Sequence, residues 1–141
     1  MGMGMDPDHA GFHFLLQNHD RIRRDVKKLP DGVETVTESD DPEVTAGIRK
    51  HVAAMARRLK EGRPIHARDP LFAEIFRHAD AIVIVEEPTG KGIRVRETST
   101  DPYVVELIQA HAEVVNGFVA RGMAEMHRDH AVPEKPPAEP S

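Results

Sequence analysis

The chain contains one stretch twice, and this constrains its fold more than any other feature. Gly32 to Gly62, GVETVTESDDPEVTAGIRKHVAAMARRLKEG, lies over Gly92 to Gly122, GIRVRETSTDPYVVELIQAHAEVVNGFVARG, at an offset of sixty residues without a gap. Eight positions are identical: Gly32/Gly92, Ser39/Ser99, Asp41/Asp101, Pro42/Pro102, Val44/Val104, Ile48/Ile108, His51/His111 and Gly62/Gly122. The same offset matches Phe12 with Phe72, Asp20 with Asp80 and Ile22 with Ile82, so the repeat unit is most of each half. Two ungapped copies predict a duplicated domain with a pseudo-twofold axis, because a solenoid needs three or more units.

At 141 residues and 39% hydrophobic content the chain can bury one modest core. The two repeats, about residues 6–62 and 69–127, are therefore expected to interlock as a single domain over residues 1–131. The remainder, 132–141, is VPEKPPAEPS, a proline-rich polar end expected to be disordered.

Helix starts are signposted by Asp-Pro at Asp6-Pro7, Asp41-Pro42, Asp69-Pro70 and Asp101-Pro102. Aspartate at the N-cap accepts from the free amides of the first turn, and proline at the next position sacrifices no hydrogen bond. The first helix is expected from Pro7 to about His19. Between the helices, Leu29-Pro30-Asp31-Gly32 and Pro88-Thr89-Gly90-Lys91-Gly92 are turn sequences flanked by residues that alternate every second position. Strands are expected near Ile22 to Lys28, Val33 to Glu38, Ile82 to Glu86 and Ile93 to Thr98. The expected class is α+β: two αββα repeats whose hairpins join in a four-stranded antiparallel sheet. The alternative extends the first helix along Ile22, Val26 and Leu29 and makes an all-α four-helix bundle.

A net charge of −5 and a pI near 6.0 give no general attraction to nucleic acid or anionic lipid. The basic clusters Arg21/Arg23/Arg24/Lys27/Lys28 and Arg57/Arg58/Lys60 stand beside acidic ones and read as solvated faces. Without cysteine there is no thiolate metal site, covalent haem attachment or cysteine nucleophile. No apolar run is long enough for a membrane span, and the start, MGMGMDPDH, lacks the pattern of a signal peptide. Location is expected to be periplasmic or cell envelope if a leader was removed, and otherwise cytoplasmic.

The histidines carry the functional expectation. His51 and His111 fall inside the apolar stripes Val44/Ile48/Val52/Met55/Leu59 and Val104/Ile108/Val115/Phe118, so both imidazoles should point at the core. Neutral imidazole is a ligand for zinc, copper and haem iron, and two related by a twofold axis converge on one ion or on the two faces of one haem. Met55, four residues after His51, adds a soft donor, although its counterpart is Val115. His19 and His78 stand almost equivalently near the ends of the first and third helices. His9/His13 at i,i+4 and His127/His130 at i,i+3 are secondary metal candidates. For every one of these the bland alternative is a core or solvated histidine, and Phe12, Phe14, Phe72, Phe76 and Phe118 either wall a haem or fill the core.

No nucleophile elbow, Walker loop or His-Glu-x-x-His is present. A haemerythrin-like di-iron site also fails: His51, His78 and His111 are followed at i+3 and i+4 by Ala54/Met55, Ala81/Ile82 and Val114/Val115, where carboxylates are needed. The segment HAEVVNGFV with its lead-in ETSTDPYVV resembles a family of small bacterial tandem-repeat proteins that often carry export leaders. That resemblance implies a cell-envelope location and no particular activity.

The expectation is thus a non-catalytic protein binding haem b or a transition-metal ion (copper or zinc) through His51 and His111. From another class, the alternative is a protein-interaction or scaffold module with purely structural histidines. Partners compatible with the first reading are a second copy of the chain, or a redox or metal-delivery protein.

Overall fold

Three aspartates cap three helices as their sequence context predicts. In a computed structural model, described at residues 7–63, 69–126 and 130–133, the side chains of Asp41, Asp69 and Asp101 accept from the amides of Glu43, Leu71 and Tyr103, each at 2.9 Å. Asp6, the fourth expected cap, lies outside the described residues, as does most of the C-terminal tail. The elements are α1 (Pro7–Gln17), β1 (Arg23–Leu29), β2 (Gly32–Glu38), α2 (Pro42–Glu61), α3 (Pro70–Arg77), β3 (Val83–Pro88), β4 (Gly92–Thr98), α4 (Pro102–Arg121) and the short α5 (Met123–Met126). One-turn 3₁₀ segments, His19–Arg21 and Ala79–Ala81, lead from α1 into β1 and from α3 into β3. The first helix thus stops at Gln17, where Asn18 Nδ2 donates to the Phe14 carbonyl at 2.8 Å and competes for the helix end.

The protein is α+β, with a four-stranded antiparallel sheet in the order β1-β2-β4-β3, and the all-α bundle is not its fold. The central pairing joins the two hairpins in a register that sets Thr35 opposite Val95. These are repeat equivalents, so the pseudo-twofold axis passes between them and relates Val33↔Glu97 to Thr37↔Ile93. At the ends of this ladder, a Cβ on Gly32 would lie 1.8 Å from the Glu97 carbonyl oxygen, and one on Gly92 would lie 1.9 Å from that of Thr37. Only glycine permits the approach, which explains one of the eight repeated identities.

The core is also two-fold and crossed. Val33 of the first hairpin packs with Val104 and Ile108 of α4, whereas Ile93 of the second packs with Val44 and Ile48 of α2. Each long helix therefore covers the other repeat's strand, so neither repeat buries its apolar face alone. Burial of each Val or Ile contributes roughly 1.5–3 kcal/mol. Polar contacts follow the same rule: Arg49 Nε donates to the Gly92 carbonyl at 2.9 Å, and its equivalent Gln109 donates to those of Leu29 and Gly32 at 3.1 and 3.2 Å. A third cluster, around Phe12, Phe72, Leu107 and Phe118, closes the helical layer over the axis. No helix among the described residues is long and apolar enough to cross a membrane.

Candidate functional site

Between the inner face of the sheet and the helices lies a cavity of about 200 Å³. Its walls are mostly apolar, from Val33, Val95, Ile48, Val115, Ile75 and the rings of Phe12, Phe72, Phe76 and Phe118. Of the sequence candidates, His51, His111, His19 and Met55 open on it. His51 and His111 do so for the reason the helical stripe implies: each sits one turn beyond a fully buried isoleucine, Ile48 or Ile108.

The two imidazoles meet equivalent phenylalanines in different ways. Phe12 stacks on His51, and Phe72 meets His111 edge-on, with Phe118 touching both phenylalanines from the axis. His111 is half-buried and lines the cavity. Desolvation, followed by the charge of Arg24 and smaller repulsions from His51 and His130, lowers its pKa to about 4, with Asp69 opposing. It is therefore a neutral imidazole at neutral pH, the form that binds metals.

The other candidates are elsewhere engaged. His19 Nδ1 lies 2.8 Å from the Val119 carbonyl oxygen, tying the 3₁₀ turn to α4 while its ring edge borders the cavity. His78, the C-cap of α3, pairs with Glu74 at 3.2 Å and packs on Tyr103, whose hydroxyl donates to the same carboxylate at 2.7 Å. It does not line the cavity. His13 is half-buried on α1. The side chain of His9, and all of His127, lie outside the described residues. His130 is clamped between the buried carboxylates of Asp69 and Glu125, one on each ring nitrogen. Burial opposes its charge, but those two acceptors outweigh it and raise its pKa.

Two charged residues at the cavity went unrecognised in sequence. Arg24 belongs to the basic cluster read above as solvated, yet on β1 it shares the inner face with Ile22 and Val26 and lines the cavity. Burial lowers its pKa to about 10 against the pull of Glu97 and Glu113. Its Nε donates to Asn116 at 2.8 Å and one Nη to Thr37 at 3.1 Å. Glu97, on the inner face of β4, has its pKa raised by burial, with Arg24 partly offsetting. Period-two alternation, with Arg24 between Ile22 and Val26 and Glu97 after Ile93 and Val95, is the signal that locates both.

Among the described residues no group of three or more His, Cys, Asp and Glu is gathered as a metal site. No protein-family model, curated protein or solved structure matches this chain.

Proposed function

We propose that this is a non-catalytic binding protein that takes haem b, or a single copper ion, into the cavity between sheet and helices, with His51 and His111 as nitrogen donors. One observation carries the reading. Of the eight identities kept at the sixty-residue offset, this histidine is the polar one that opens on the cavity in both halves. The other seven have scaffold tasks. Gly32/Gly92 allow the strands to approach, Ser39/Ser99 accept from the Asp41 and Asp101 amides, and the Asp-Pro pairs start helices. Val44/Val104 and Ile48/Ile108 fill the core, and Gly62/Gly122 end the long helices at positive φ.

Donor number favours haem among the ligands that imidazole holds. A structural zinc ion asks for four protein ligands, and the described residues gather no such set. Haem brings four nitrogens of its own and asks only for axial donors. Copper is the second reading because Met55 also lines the cavity, and two imidazoles with a thioether suit Cu(I). If the chain is exported, as its resemblance implies, either ligand would be met in the cell envelope.

Titration of the purified protein with hemin, Cu and Zn, followed by absorption and metal analysis, tests the reading. A shifted Soret band or stoichiometric copper is expected in wild type. His51→Ala and His111→Ala should each nearly abolish it, with little added by the double substitution, because ligands to one centre act as a unit. If none of the three binds, the histidines are structural and a protein-interaction module is the better reading.

A further inference from the structure

The two repeats build the same sheet, but at one pair of cross-strand neighbours they differ in kind. Arg24 faces Thr37 in the first hairpin; the equivalent pair in the second is Ile84 and Glu97. All four line the cavity. The twofold scaffold therefore accepts Ile where Arg24 stands and Thr where Glu97 stands. Nothing in the sheet requires a charge at either place, and burying one is costly.

The bonding of these residues is also incomplete. Arg24 spends Nε on Asn116 and one Nη on Thr37, which fixes the plane of the guanidinium. Its second Nη makes no hydrogen bond or ion pair with a described residue. Glu97, half-buried at the cavity wall, makes no hydrogen bond or ion pair among the described residues. A guanidinium held rigidly by neutral partners, with donors to spare in an apolar cavity, is suited to a carboxylate. Burial favours the protonated form of the neighbouring Glu97 carboxyl, and in that form it donates to the carboxylate instead of repelling it.

We infer that the ligand of this cavity has an apolar body and a carboxylate, and that Arg24 and Glu97 receive the carboxylate. The inference rests on the cavity being the binding site, as proposed above. Two sources supply this chemistry: the propionates of haem and a small apolar carboxylic acid.

The test compares hemin, hemin dimethyl ester and decanoate, each titrated into wild type, Arg24→Ile and Glu97→Thr. These substitutions copy the residues that the other repeat already carries, so the fold should tolerate them. Thermal melting of each variant without ligand verifies this. Hemin is expected to bind wild type about tenfold or more tightly than its ester, because a charge-assisted hydrogen bond is lost. Arg24→Ile should reduce hemin to the ester's affinity, and Glu97→Thr should weaken hemin but not the ester. Decanoate binding that Arg24→Ile abolishes, without any hemin binding, would support the inference and overturn the haem reading. Equal affinity for hemin and ester, or hemin binding unchanged in Arg24→Ile, would overturn the inference and leave the haem reading standing. Binding of none of the three would overturn both.

Discussion

The ring of Phe12 lies nearly parallel to that of His51, with centroids 5.5 Å apart and planes 9° from each other. The repeat-equivalent pair, Phe72 and His111, is edge-on instead, at 5.2 Å and 70°. The same two residue types at the same two positions thus orient their imidazoles differently. A stacked imidazole keeps its in-plane nitrogen lone pair clear of the phenylalanine face, and the aromatic contact contributes about 0.5–1.5 kcal/mol beyond area burial. Phe12→Leu should consequently lower hemin or copper affinity more than Phe72→Leu, at a similar cost of about 1 kcal/mol in stability for each. Titration alongside urea unfolding of the two variants measures both quantities.

The depressed pKa of His111 makes stability depend on acid in a defined direction. Above pH 6.5 the imidazole is neutral whether folded or not. As pH falls from 6.5 toward 4 the unfolded chain takes a proton that the folded chain refuses, so stability drops by up to about 3 kcal/mol. His111→Leu removes this slope. Urea unfolding at pH 7 and pH 4.5 should show the variant gaining on wild type at the lower pH; parallel losses would mean that His111 is already solvated.

His130 should act with the opposite sign. Its raised pKa means that the folded chain holds a proton the unfolded chain would release. This stabilisation is complete below the ordinary histidine value of 6.5 and is lost as pH climbs through the raised folded value. His130→Ala removes one partner from each of two buried carboxylates, Asp69, which still caps α3, and Glu125, which still pairs with Arg121, and should cost about 1–3 kcal/mol near pH 6. The gap between wild type and variant should narrow as the pH is raised above 6.5. A gap that does not change with pH would show that the clamp is uncharged.

Gly32→Ala and Gly92→Ala should destabilise alike, since each methyl would meet a backbone carbonyl oxygen at under 2 Å across the central pairing. A loss on the order of 4 kcal/mol in each is expected. Gly11→Ala, on α1 with nothing within 4 Å of the new atom, is the control. It should gain about 0.5–1 kcal/mol from helix propensity. Thermal melting of the three variants is sufficient.

Much of the fold could be read because its signals are local. Asp-Pro before an apolar stripe, and Pro-Asp-Gly between alternating residues, fix helix starts and hairpins through a few neighbouring atoms. The repeat carried the rest, including the twofold relation and the inward placement of His51 and His111. What escaped was non-local or masked by company. Arg24 stands among Arg21, Arg23, Lys27 and Lys28, and charge density outweighed the alternation that turns it inward. The clamp on His130 joins residues 61 and 5 positions away, a closeness that only the packing of the chain end against α3 creates.

The axis between Thr35 and Val95 has a consequence for whatever enters the cavity. A ligand with its own twofold, as the core of a porphyrin nearly has, meets repeat-equivalent elements on both sides and could settle in either of two orientations half a turn apart. Arg24 and Glu97 have no counterparts across the axis, so they lift that degeneracy and should leave one rotational isomer in excess. Moving both charges to the equivalent positions, with Arg24→Ile, Ile84→Arg, Thr37→Glu and Glu97→Thr together, would turn the polar end of the cavity through half a turn inside an unchanged scaffold. The ligand should turn with it.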